Sequence, residues 1–196
     1  MILHFLTQVL NKNLRFLFSF ALLIFLTGCG YHFGPGSLAN RYTTISVPYV
    51  EGDKDGDLTK ELVKQLGTAG GFQYLPASAE LLLRVKILEV RDKNIGFRYD
   101  KNGRGQLEKT IIPVETRFTV LTEVEVIEAC SGEVLIGPAK ISAYVEFDHE
   151  YYSSRNGVNV FSLGQLSDTY EAHDAAWHPL NIALSQKIVD FITNNW

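Results

Sequence analysis

Ile112 to Ile127, IPVETRFTVLTEVEVI, alternates apolar and polar side chains at the two-residue period of a pleated strand. Val114, Phe118, Val120, Val124 and Val126 fall on one face, and Glu115, Arg117, Glu123 and Glu125 on the other. One face is therefore suited to a core and the other to water. After a turn at Ala129 to Gly132, Val134 to Phe147 reads as the antiparallel partner, with Ile141, Ala143, Val145 and Phe147 inward and Gly137-Pro138 marking a bulge. A hairpin of this length can project beyond its core.

Upstream, Leu81, Leu83, Val85 and Ile87 alternate with Leu82, Arg84, Lys86 and Leu88, which predicts a second strand whose core side is the odd-numbered set. Tyr42 to Val50 alternates as well, with Ile45, Val47 and Tyr49 on one face and Thr44, Ser46 and Pro48 on the other. Pro48 has no N–H for a ladder, so this strand lies at an edge or ends there. Between these strands, Glu51 to Gly56 is an acidic loop, and Asp57 is placed to cap a helix carrying Leu58, Leu62, Val63 and Leu66 before Gly67 stops it. Asp148 to Gln165, with Tyr151, Tyr152, Asn156, Gly157 and Asn159, lacks periodicity and reads as a loop. Leu180, Leu184, Ile188, Phe191 and Ile192 then define a last helix, with Pro179 either in its first turn or kinking a longer helix begun near Asp168. The order β-α-β-β-β-α predicts an α+β two-layer sandwich, a mixed four-stranded sheet packed by two helices, within one domain at 42–196.

The N-terminus carries a different signal. Lys12 and Arg15 precede an eleven-residue apolar run, Phe16 to Leu26, and no acidic residue occurs before Glu51. Leu26-Thr27-Gly28-Cys29 closes the run, the pattern of a lipoprotein export signal with the Cys29 thiol placed for acylation. The run is too short to span a bilayer, which needs about 20 residues. Residues 1–28 then form a signal peptide and 29–41, rich in Gly, Pro, Ser and Asn, a lipidated tether. Acyl chains such as palmitate contribute about 0.8 kcal/mol per buried methylene, so two or more hold a protein on a membrane. Gly30 after the cysteine, in place of an Asp, favours the outer membrane.

Loss of Lys12 and Arg15 with the signal moves the formal charge from −4 to −6, which argues against a nucleic-acid partner. Charge is uneven: Arg84 to Arg117 holds nine Lys or Arg against five Asp or Glu. Within it, Arg84, Lys86, Arg91, Lys93, Arg98, Lys101, Arg104 and Lys109 lie on the solvent face of a strand and in the loop after it, where they either meet a phosphorylated or carboxylated amphiphile or form a solvated face of mixed sign. Phe97, Tyr99 and Phe118 nearby suit an acyl chain or a core equally. With Cys29 acylated, Cys130 has no partner for a bridge, and a lone thiol in a turn is assigned no chemistry.

Catalysis has little support, since G-x-S-x-G, P-loop, G-x-G-x-x-G after a strand and C-x-x-C are all missing. His173, Asp174 and His178 are the densest ligand set, but a helical zinc pair wants histidines four apart and these are five apart. No metal, cofactor or catalytic residue is expected.

The lipobox, Gly30-Tyr31-His32-Phe33-Gly34, Gly36-Ser37-Leu38, the strand Thr44-Ile45-Ser46-Val47-Pro48-Tyr49-Val50 and the helix motif Leu58-Thr59-x-x-Leu62 together resemble the LPS-assembly lipoprotein family, LptE. The later strand, hairpin and terminal helix keep the same order. The basic segment Arg98 to Lys109 and the loop Tyr151 to Asn159 depart from the family's pattern. The resemblance implies a lipid-anchored, periplasm-facing outer-membrane protein without turnover, which plugs and helps assemble a β-barrel lipopolysaccharide translocon and contacts lipopolysaccharide in transit. A pilot lipoprotein of a secretion channel would share the tether and small domain. A periplasmic hydrolase would rest on His173, Asp174 and His178.

Overall fold

The computed structural model describes residues 38–101, 104–149 and 169–194, all within one compact unit, Pro35–Trp196. The expected signal peptide, Cys29, tether residues 29–37 and loop residues 150–165 lie outside the described residues. Seven elements follow in chain order: β1 (Thr44–Ser46), α1 (Asp57–Ala69), β2 (Gln73–Tyr74), β3 (Leu81–Lys101), β4 (Leu107–Glu128), β5 (Val134–Asp148) and α2 (Thr169–Thr193). They build an α+β sandwich with two helices over a mixed sheet ordered β2-β1-β3-β4-β5. β1 runs parallel to β2 and β3, while β3, β4 and β5 are antiparallel.

The sheet has five strands where four were expected. β2 is two residues long, too short to leave a periodic signature, and exists because the Gln73 and Leu75 N–H groups donate to the Thr43 and Ile45 carbonyls at 2.8 and 2.9 Å. β1 is correspondingly not an edge. It ends at Ser46, two residues ahead of Pro48, and the chain rejoins β3 at Glu51, whose N–H donates to the Val85 carbonyl and whose carbonyl accepts from Ile87. In the gap between these contacts Tyr49 turns out to solvent at 62% exposure, against its expected inward placement, while Val50 is fully buried.

Alternation on the deciding strand holds. Phe118, Val120, Val124 and Val126 are at most 1% exposed and share the core with Leu81, Leu83 and Val85 of β3 and Ala143 of β5. Leu58, Leu62 and Leu66 of α1 and Leu180, Leu184, Ile188 and Ile192 of α2 close it from above, each of these seven at or below 1%. Each such side chain contributes about 1.5–3 kcal/mol of transfer free energy. The bulge falls at Gly137-Pro138, which together face Glu125 between the pairs Val124↔Ala139 and Val126↔Ile136. Gly137 has φ 92°, and a Cβ there would collide with the Val124 carbonyl oxygen, so only glycine fits.

Both helices differ from expectation at their ends. α1 runs through Gly67 to Ala69 and stops at Gly70, whose φ of 71° makes the left-handed cap. At its start the cap is Gly56, not Asp57, and the missing acceptor comes from Asp53. The Asp53 carboxylate, 8% exposed, accepts from the Thr59 N–H at 2.8 Å and the Thr59 hydroxyl at 2.7 Å, and that hydroxyl accepts from the Val50 N–H at 3.1 Å. α2 takes the longer of its two alternatives: it begins by Thr169 and keeps Pro179 inside. Lys187 Nζ donates to the Ser142 carbonyl at 2.9 Å, tying α2 to β5.

The largest departure is the extent of β3. Residues 89–101, read as a loop, continue the strand, so the projecting arm is the β3–β4 hairpin rather than β4–β5. Register shifts at Ile87/Glu89 and around Gly96 hide it, because each extra residue reverses which side chains face the core and erases the periodicity. Among the described residues, no helix is long and apolar enough to cross a membrane.

Candidate functional site

Three regions carry chemistry. The first is the outer face of the sheet, where most of the basic set lies. Arg84 reaches Glu125 at 3.5 Å, Lys86 reaches Glu51 at 2.6 Å, and Arg91 reaches Glu89 at 2.5 Å. Beside them, Arg117 donates to Glu146 through Nε and Nη2 at 2.8 and 2.6 Å and lies 4.8 Å above the Tyr144 ring. Hydrogen bonding to Glu51 holds the Lys86 ammonium above its ordinary value, and Glu146 does the same for Arg117. Exposed pairs like these are screened by solvent, so they neutralise the face more than they stabilise it. Of the predicted cations, Arg84, Lys86 and Arg91 are thus engaged by carboxylates. Lys93 and Arg98 have no ion-pair partner among the described residues, Arg104 is exposed in the β3–β4 turn, and the side chains of Lys101 and Lys109 lie outside the description.

Continuing outward, the arm becomes apolar on one side. Tyr99 pairs with Ile111 and Phe97 with Pro113, so Phe97, Tyr99 and Ile111 share that side, at 57, 58 and 57% exposure. Arg98 pairs with Ile112 and so lies on the opposite face of the arm from Phe97 and Tyr99. Phe118 belongs to the core at 0%.

The second region lies under the N-terminal half of α2, where the sequence's histidine set separates. His173 packs against Phe118 with ring centroids 4.6 Å apart and the rings tilted by 49°, and its Nε2 lies 3.5 Å from Asp92 of β3. His178 faces α1 instead. There Glu61, 6% exposed, accepts from Lys64 at 2.8 Å, and this bond, with Gln65 and the nearby His178 adding to it, holds its carboxyl below the ordinary value. Asp174 is exposed. The three do not converge, as a spacing of five on a helix dictates. No group of three metal-ligating side chains occurs among the described residues. A histidine the sequence did not flag is more constrained. His149, 5% exposed, has Nε2 at 2.8 Å from the Thr116 hydroxyl, which itself donates to Asn94 Oδ1 at 2.9 Å. That hydroxyl accepts the Nε2–H, leaving Nδ1 buried without a hydrogen-bond partner among the described residues.

The third region is a cleft of about 320 Å³ between the acidic loop and α2. Gly52, Asp53, Lys54, Asp55 and Asp57 form one wall, Ile87 and Val90 of β3 the floor, and Trp177 and Asn181 of α2 the other wall. Phe118 meets the Trp177 ring edge-on at 4.7 Å and fixes its orientation. Desolvation, then the charges of Asp53, Asp55 and Asp57, push the Tyr49 hydroxyl above its ordinary value, so the loop's negative field is felt at its flank. The acidic loop was visible in the sequence. Its apposition to Trp177 and Asn181 was not, because a contact across more than a hundred residues leaves no local trace.

No family model matches this chain, and no curated protein matches it. Solved structures do. A minor lipoprotein from Acinetobacter baumannii is 16% identical, with 77% of this chain and 90% of that one covered and a TM-score of 0.47. Rare lipoprotein B from Shewanella oneidensis is 12% identical, with 76% and 92% covered and a TM-score of 0.42. Lipoprotein B from Nitrosomonas europaea is 9% identical, with 83% and 91% covered and a TM-score of 0.45. All three are bacterial lipoproteins.

Proposed function

We propose that this chain is a non-enzymatic outer-membrane lipoprotein, anchored through Cys29 and facing the periplasm, that serves a lipopolysaccharide translocon by plugging its β-barrel and helping it assemble. The observation that carries this reading is the lipobox Leu26-Thr27-Gly28-Cys29 ahead of a folded domain with a charged outer sheet face. Large barrels have polar lumens, and a plug must present a hydrated, neutralised surface to one. The Arg84–Glu125, Arg91–Glu89 and Arg117–Glu146 pairs supply such a surface. Beyond them, the arm exposes Phe97, Tyr99 and Ile111, and its sequence carries Lys93, Arg98, Lys101, Arg104 and Lys109, a composition suited to a glycolipid's phosphates and acyl chains together.

The anchor is tested by palmitate labelling of cells: wild type takes the label and Cys29→Ser does not, and labelled Cys29→Ser protein would sink the reading. Co-purification from membranes should recover a β-barrel partner, whereas a secretin-type ring would indicate a pilot lipoprotein. For the lipid, reversing Arg98, Lys101 and Arg104 to Glu should weaken lipopolysaccharide binding at least about tenfold while shifting unfolding stability by no more than about 0.5 kcal/mol, as surface changes do. Unchanged binding would assign those cations to solvation alone.

A further inference from the structure

The cleft between the acidic loop and α2 joins three independent features. Asp55 and Asp57 are exposed on its wall, and their side chains make no hydrogen bond or ion pair with a described residue. Asn181 lines the cleft at 6% exposure, and its side-chain amide likewise has no hydrogen-bond partner among the described residues. The Asn181 amide is therefore left to water or to a ligand that enters the cleft and completes its hydrogen bonds. Trp177, one helical turn before Asn181 on the same face of α2, adds an aromatic wall above Ile87 and Val90.

Carboxylates, an indole face and an amide oxygen around an apolar floor all favour an organic cation with an aliphatic stem. Lys54 offsets one of the three aspartate charges, and Asp53 Oδ2 is held by Thr59, so Asp55 and Asp57 supply the net attraction. We propose that the cleft receives an arginine side chain from a partner protein, with the guanidinium between Asp55, Asp57 and the Asn181 Oδ1 and the stem along Ile87, Val90 and Trp177. Guanidinium is planar and weakly hydrated, stacks on indole and donates in several directions at once. An ethanolamine lipid headgroup fits less well, since its phosphate, two carbons from the ammonium, would be brought against the aspartates. This proposal is independent of the translocon reading.

The test uses the purified full-length protein labelled with 5-fluorotryptophan, whose two tryptophans give separate fluorine resonances, Trp177 being assigned with Trp196→Phe. N-acetylarginine amide should shift the Trp177 resonance and saturate near about 1 mM, a weak affinity suited to a single side chain. The neutral isostere N-acetylcitrulline amide should leave it unmoved. Asp55→Asn with Asp57→Asn should weaken the arginine titration about tenfold, and these exposed residues leave the fold intact. Asn181→Leu should weaken it at least about threefold. Equal response to citrulline, or no effect of the aspartate changes, overturns the proposal. Tighter binding of phosphoethanolamine than of arginine also overturns it and makes the occupant a lipid headgroup.

Discussion

The root and the tip of the β3–β4 hairpin are made by the same two strands, yet they occupy different environments. At the root, Leu81, Leu83, Val124 and Val126 lie beneath two helices at 0% exposure. At the tip, Phe97, Tyr99 and Ile111 are more than half exposed, although they are just as apolar. What separates the two is coverage by other elements rather than strand chemistry. Stability therefore concentrates at the root, while the arm keeps apolar and cationic side chains available for contact at little cost to folding.

Phe118→Ala would probe the root hardest, opening a large cavity where Phe118 is 0% exposed; about 3–5 kcal/mol should be lost in urea unfolding. Tyr99→Ala at the tip should change stability by no more than about 0.5 kcal/mol. Comparable losses at both positions would mean that the arm packs as part of the core. The glycines sharpen the same contrast. Gly137→Ala, in β5 against Val124 of the root, adds a collision with the Val124 carbonyl to the left-handed backbone penalty and should cost more than about 2 kcal/mol, whereas Gly105→Ala, at φ 77° in open space near the tip, should cost only that penalty of about 1–2 kcal/mol or less.

A smaller effect is expected at the α1 start. Asp53→Ala removes the acceptor for the Thr59 N–H and hydroxyl and should cost about 1–2 kcal/mol by thermal or urea melting, the range for a lost helix cap. Smallest is a pH effect beside β1. The Glu80 carboxylate accepts from the Thr43 and Thr44 N–H groups at 2.7 and 3.1 Å, and these bonds hold its pKa below the ordinary glutamate value. A group lowered on folding stabilises above its unfolded pKa and loses that contribution as pH falls through the folded one. Wild type should accordingly lose a small increment of stability below about pH 4, near the unperturbed glutamate pKa, that Glu80→Gln lacks. Parallel pH curves for the two proteins would remove Glu80 from the account of β1.

Legibility followed the same division. Where a strand kept its alternation, at Leu81–Ile87 and Val114–Val126, residue-by-residue facing was readable, and so were both helices from their leucine and isoleucine stripes. Reading failed where periodicity was broken or too short: the bulges that carry β3 to Lys101, the two-residue β2, and Tyr49, which leaves the sheet after β1 ends. The eight cations were visible as a cluster, but their cross-strand partners, Glu125 for Arg84 and Glu51 for Lys86, depend on register. His149 gave no signal at all, because its constraint comes from Thr116 and Asn94 on two other strands.

The amino-acid order alone determined the motif Leu26-Thr27-Gly28-Cys29 behind an apolar run, two amphipathic helices and a core face on the central strands, since each is written in spacings a few residues long. Only the tertiary structure decided which cations are neutralised, how far the arm extends and that Asp55, Asp57, Trp177 and Asn181 line one cleft. Those outcomes depend on distances between segments far apart along the chain, which are set when the helices settle on the sheet and bury its apolar face.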